Sequence, residues 1–194
     1  MRIFFIVLSV LSLLLLIRCS ENKPELSEDQ LDAMRSTSGD FMKKLKGVLI
    51  EQIQTGGVVQ AVSVCSDTAQ ILTNEFGLSR GVFIKRVSLK NRNENNYPDD
   101  FEKNVLIKFQ LIEKSNELNN QTEYAEITTE DGIKYLRYLK PIVLQAECLN
   151  CHGSESEVMP EVFDLIAQKY PNDKAIGYKM GDLRGAVSIK KAIE

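Results

Sequence analysis

The sequence predicts an α+β fold in a single domain, an antiparallel sheet with N-terminal helices packed on it. Two long stretches with apolar residues every three or four positions come first. Alternating, β-branched segments follow, two of them joined by the tight turn Glu130-Asp131-Gly132. Strands that follow helices and close by short turns favour an antiparallel sheet. The 194 residues suit one domain, and 43% hydrophobic with 26% charged residues is the balance of a globular protein.

Each element has a local reason. Ser27-Glu28-Asp29-Gln30 is a capping-box signature at a helix start. Leu31, Met34, Phe41, Met42, Leu45, Val48, Leu49 and Ile53 then form an apolar stripe, stopped at Gly56-Gly57. Val58, Ala61, Val62, Cys65, Ala69, Leu72 and Phe76 make a second stripe, with Gly77 expected as its C-cap. Val82 to Leu89 reads as a strand and Asn91 to Pro98 as a polar loop. Asp99-Asp100-Phe101-Glu102 caps a third helix, with Phe101, Val105, Phe109 and Ile112 on one face. Tyr124 to Thr129 and Ile133 to Leu144 are strands around the Glu130-Asp131-Gly132 turn. Glu161 to Lys169 is a short helix ended by Pro171, and Leu183 to Ile189 a last strand.

The N-terminus reads as an address. Arg2 precedes an apolar run, Ile3 to Ile17, that is short of the roughly 20 residues a membrane span needs. Leu16-Ile17-Arg18-Cys19 resembles a bacterial lipoprotein processing box, matched at Leu16 and Cys19 and not at Ile17 and Arg18. The expected organisation is a signal peptide over 1–18, a tether over 19–27 with lipid on Cys19, and a domain over 28–194. A retained N-terminal anchor and ordinary secretion are the alternatives. All three export the body, to the periplasm or cell envelope.

A formal net charge of −3 gives nucleic acid no broad basic surface, so no nucleic-acid partner is expected. A single histidine excludes a multi-histidine metal site. That histidine closes Cys148-Leu149-Asn150-Cys151-His152, the C-x-x-C-H attachment signal of c-type haem. The spacing has a chemical reason. Two thiols add across two vinyl groups of one porphyrin edge, and the adjacent imidazole turns to the iron. With four Cys and one His in 194 residues, chance supplies the motif on the order of 0.0004 times. The competing readings are a structural disulfide, a thioredoxin-like dithiol, and a zinc site joining Cys65 to the motif. The expected cofactor is one covalent haem c on Cys148 and Cys151, with His152 as an iron ligand.

The other face of the iron has several candidates: Met34, Met42, Met159, Met180, Cys65, a lysine, water, or no ligand at all. Cys65 is an unexplained thiol in an exported chain, and its place on the second stripe points it inward. Arg92, Asn93 and Arg137 are candidate partners of the haem propionates, which need cationic or amide donors.

Three separated stretches resemble one family, the Tll-type PAS-like haem-binding domains. They are Arg86 to Asn95 with Pro98-Asp99 and Glu102; Lys140-Pro141 ahead of Cys148 to Gly153; and Gly177 to Ser188. With the Cys65 helix the similarity spans about residues 28–190. The resemblance implies a PAS-like fold carrying one covalent c-type haem, with His152 and Cys65 as its axial ligands. The loop departs at Glu94, where family members usually carry proline.

The expected function is a membrane-tethered redox or diatomic-gas sensor, taking CO or NO and passing its state to a separate signalling or redox protein. A monohaem electron-transfer cytochrome c is the alternative, and a non-haem interaction lipoprotein the third reading. An enzyme is not expected, because no nucleophile–base pair stands apart from the haem motif.

Overall fold

The computed structural model describes residues 26–193. The expected signal peptide, Cys19 and all but the last two residues of the tether lie outside the described residues.

Helix α1 (Glu28–Arg80) starts at the expected capping box. The Gln30 amide donates to Ser27 Oγ at 3.2 Å, and the Ser27 amide donates to Gln30 Oε1 at 3.0 Å. A straight helix would separate Phe41 from Phe76 by about 50 Å, yet their ring centroids lie 5.3 Å apart. The element folds back at Gly57, whose φ of 80° and ψ of −178° are non-helical. Asp40 and Arg80 pair at 2.8 Å across the two arms. The predicted break at Gly56-Gly57 is therefore observed.

The predicted cap at Gly77 is not. The second arm continues to Arg80 and is capped by Gly81 in the left-handed conformation, φ 62°. Gly77 serves a different purpose. A Cβ there would stand 2.8 Å from the Val82 carbonyl oxygen, so the missing side chain lets the helix approach the chain leading into β1.

Strands β1 (Phe83–Val87), β2 (Tyr124–Glu130), β3 (Ile133–Val143) and β4 (Leu183–Ile193) form one antiparallel sheet in the order β1-β4-β3-β2. Asp131 and Gly132, both at positive φ (51° and 80°), make the two-residue turn between β2 and β3. Strand β4 extends past its expected end at Ile189, because Lys190 to Ile193 pair with Arg137 to Lys134. Helix α2 (Asp100–Lys114) carries the expected Asp99/Glu102 capping box. One short turn, α3 (Leu149–His152), precedes α4 (Pro160–Lys169).

Alternation sorts the sheet into two faces. Ile84, Leu136, Tyr138, Val187 and Ile189 pack with Met34, Phe41 and Phe76 of α1. Val87, Leu139 and Ala186 pack with Val105, Leu106 and Phe109 of α2. The α+β class and single domain are as predicted. The first arm of α1 is also clamped to the sheet, where Arg35 Nη2 meets Glu123 Oε1 at 2.7 Å and Tyr138 donates to Glu123 Oε2 at 2.9 Å.

The close approach at Gly77 can be measured. Gly77→Ala should lower stability by about 1–3 kcal/mol through overpacking. Gly47→Ala, at an open helical position, should raise it by about 0.5–1 kcal/mol. Urea unfolding midpoints of the two variants should move in opposite directions.

Candidate functional site

A 3₁₀ turn, Ala146–Cys148, runs directly into α3, so Cys148 and Cys151 stand one helical turn apart on the same side. Both are half-buried free thiols. Burial pushes the Cys151 thiol above the ordinary range, against Arg92, with Cys65 and Cys148 adding to the rise.

His152 Nδ1 lies 2.7 Å from the Ala175 carbonyl oxygen. A carbonyl only accepts, so Nδ1 carries the proton and the Nε2 lone pair faces away from that bond. Burial, then Arg184 and Arg92, hold the imidazole well below its usual pKa and therefore neutral. The Tyr178 ring meets it edge-on at 6.3 Å. Backbone hydrogen bonds from Tyr178 to His152 (2.9 Å) and from Gly177 to Gly153 (2.8 Å) fix the turn against the following loop.

Cys65 lies on the second arm of α1. Val62, one turn earlier, packs with Val158, Val162 and Ile166, and Cys151 packs against the same cluster. Burial raises the Cys65 thiol pKa, and Arg86 opposes the rise. Lys46, on the first arm, pairs with Glu147 at 2.6 Å and also binds Gln145. The two arms thus straddle the cysteine turn. Leu49, Ile50, Ile53 and Val58 are only half-buried there, and just 6% of the most apolar stretch of α1 is buried.

The candidate polar residues separate. Arg92 is at the site: Nη2 donates to the Cys151 carbonyl at 2.6 Å, and Nε meets Asp173 Oδ2 at 3.0 Å. Asn93 instead caps the 3₁₀ turn Glu94–Asn96, accepting from the Asn95 amide at 2.9 Å. Glu94 opens that turn and accepts from Asn172 Nδ2 at 2.8 Å. Arg137 is not at the site. It sits on the α2 face of the sheet, against Asp99 (2.6 Å), Glu130 (3.1 Å) and buried Glu102 (3.7 Å). Its candidate role as a propionate partner is corrected on that ground, since the sheet lies between it and α1.

The methionines divide into buried and exposed ones. Met34 and Met42 pack in the α1–sheet core, while Met180 is 68% and Met159 45% exposed. Among the described residues no three His, Cys, Asp or Glu side chains gather as a metal-ion site, so the Cys65-with-motif zinc tetrahedron is not assembled.

Sequence reasoning missed Arg86 and Arg184. Each has a buried Nε without a hydrogen-bond partner, and neither forms an ion pair with a carboxylate among the described residues. Burial depresses both guanidinium pKa values; Tyr170 and Cys65 oppose this at Arg86. The signal was present in β1, where Arg86 shares the parity of Ile84 and so faces α1.

The fold and site define an α+β protein with a helical hairpin on one sheet face and a C-x-x-C-H turn held beside it. A family model described as Tll0287-like matches residues 20–191, and the chain belongs to the Tll0287-like family. A solved structure, the cyanobacterial heme-protein Tll0287, superposes with a TM-score of 0.63 at 22% identity, over 87% of this chain and 98% of that one. Comparison with curated proteins gives no match.

The placement of Arg137 has a direct test. Arg137→Gln removes one of the two cations near buried Glu102, which keeps Lys85 and Ser188, and should cost about 1–3 kcal/mol of stability. The absorption spectrum of the purified protein should be unchanged, whereas a residue at the cysteine site would alter it.

Proposed function

We propose that this chain is a covalent c-type haem protein and acts as a redox or diatomic-gas sensor, with His152 and Cys65 as axial ligands. The observation that carries the reading is the pairing of a C-x-x-C-H turn, whose histidine has Nδ1 bonded to Ala175, with a buried, uncompensated Arg86 nearby. The residues fit the group chemically. Cys148 and Cys151 stand on one side of a single turn, as attachment to one porphyrin edge requires. Arg86 and Arg92 are cations suited to two propionates. The half-buried apolar stretch of α1 would cover a flat hydrophobic ring.

When bound, haem supplies a one-electron couple and an iron that takes two axial donors. The chain's residues do the rest. Ala175 fixes the imidazole tautomer, so His152 is the ligand that stays. Cys65 is bound as a thiolate, an anionic ligand that favours ferric over ferrous iron and lowers the potential. It rides on the second arm of α1, which begins at the Gly57 break, and its release on reduction would open a place for CO or NO and let the arm report the change. Such a signal passes to a separate partner. The leader-like sequence over 1–18 supports export of this chemistry, with the membrane reached through Cys19 or the apolar N-terminus. The role is binding and signalling rather than catalysis.

The test is mass and absorption spectroscopy of protein exported from a host competent for haem attachment. One added haem is expected, lost in Cys148→Ser with Cys151→Ser. Cys65→Ser should keep the haem and abolish the ferric thiolate signature. An unmodified mass would end the haem reading. Thiolate ligation retained in both oxidation states, with no CO binding, would replace sensing by electron carriage.

A further inference from the structure

Arg184 stands where β4 departs from regular pairing. Ile142 pairs with Gly185 and Val143 with Leu183, so Arg184 is an extra residue, a β-bulge. Leu183 and Ala186 both pack on the α2 side. Strict alternation counted back from Ala186 would put Arg184 on that side and Leu183 on the other. The bulge breaks the count. Leu183 takes the α2 face, and the Arg184 guanidinium turns to the loop that holds His152. Its Cζ lies 5.6 Å from the centroid of the Tyr178 ring, the ring that meets His152 edge-on at 6.3 Å.

The bulge is locked to β1. The Ser88 hydroxyl donates to the Arg184 carbonyl at 2.7 Å. Gly185 has a φ of 155°, and a Cβ there would collide with the Val87 carbonyl oxygen. Only glycine permits this approach. It brings the stretch of β1 that carries Arg86 up against the stretch of β4 that carries Arg184.

Three guanidinium groups thus gather at the cysteine site, and among the described residues one carboxylate, Asp173, pairs with any of them. Arg92 is the compensated one: Nε meets Asp173, and Nη2 donates to the Cys151 and Ala175 carbonyls. Arg86 and Arg184 each have a buried Nε without an acceptor. Burial depresses the Arg184 pKa; Tyr178 opposes this, Arg92 and Arg86 add to it, and Asp173 opposes it. A water molecule would accept the hydrogen bond without balancing the charge, and a buried cation needs a counter-charge. Arg184 Nη1 is spent on the Lys90 carbonyl at 3.0 Å. That leaves the Nε edge, whose planar geometry matches the two oxygens of a carboxylate.

We propose that Arg184 is a further haem-binding residue, its Nε edge taking one propionate while Arg86 takes the other. Two uncompensated cations then meet two carboxylates, and Arg92, neutralised by Asp173, holds the Cys151 turn. The assignment rests on the haem reading above and refines its propionate pairing, moving it from Arg92 to Arg184.

The test is resonance Raman spectroscopy of the full chain exported with its haem, read at the propionate bending bands, alongside the added mass and the ferric absorption. Arg184→Leu should keep one haem and the parental ferric absorption, and should shift a propionate band to lower frequency. Arg184→Lys keeps a cation without the planar fork and should shift the same band by a smaller amount; it decides the matter where the leucine variant does not accumulate. Lys90→Met removes the other cation on the Tyr178 ring, 4.3 Å from its centroid, and should leave the propionate bands as in the parent. Bands unmoved in both Arg184 variants overturn the assignment. So does an equal shift in Lys90→Met, which would make Arg184 a support for Tyr178. A parent of unmodified mass overturns the haem reading itself, a result distinct from a haem-bearing parent whose propionates ignore Arg184.

Discussion

Neighbouring side chains leave a strand in opposite directions, and in β3 and β4 both directions lead into protein. Leu136 and Tyr138 enter the α1 layer, while Arg137 and Leu139 enter the α2 layer. A slip of one residue would exchange Tyr138 with Arg137, placing a guanidinium among Phe41 and Phe76 and a phenol among carboxylates. Register is therefore fixed by what each layer tolerates, and everything attached to the sheet inherits its position from it.

The two layers treat buried charge differently. On the α2 side it is compensated from within: Glu102 meets Lys85 at 2.9 Å, accepts from Ser188 at 2.7 Å and faces Arg137. On the α1 side Arg86 finds no carboxylate among the described residues, and the cysteines beside it are free thiols. A buried cation without a partner is costly. The α2 layer pairs its buried carboxylate with two cations, though Arg137 Nε there also lacks an acceptor, whereas in the α1 layer Arg86 has no carboxylate partner among the described residues.

Much of this was legible in the sequence because it is local. Capping boxes at Ser27 and Asp99, the Asp131-Gly132 turn and the break at Gly57 each follow from chemistry within four residues. The C-x-x-C-H turn is local too. What escaped was decided by tertiary neighbours. Gly77 looks like a cap by spacing, yet its reason is a carbonyl of the incoming strand. Arg137 and Arg86 are both strand arginines in sequence, and only the face each occupies separates a charge network from a cysteine site. Asn93 was drawn to a cofactor by its polarity, while its short side chain caps the turn directly after it.

The first arm of α1 joins two distant points. Its Ser27 end is fastened near Glu123 through Arg35, and Lys46 fastens it beside Cys148 through Glu147. At 1.5 Å per residue, Arg35 and Lys46 are about 17 Å apart. The arm is therefore a stiff lever with a grip at each end. The cysteine turn is thereby tied to the place where the chain enters the fold by one continuous element that does not cross the sheet.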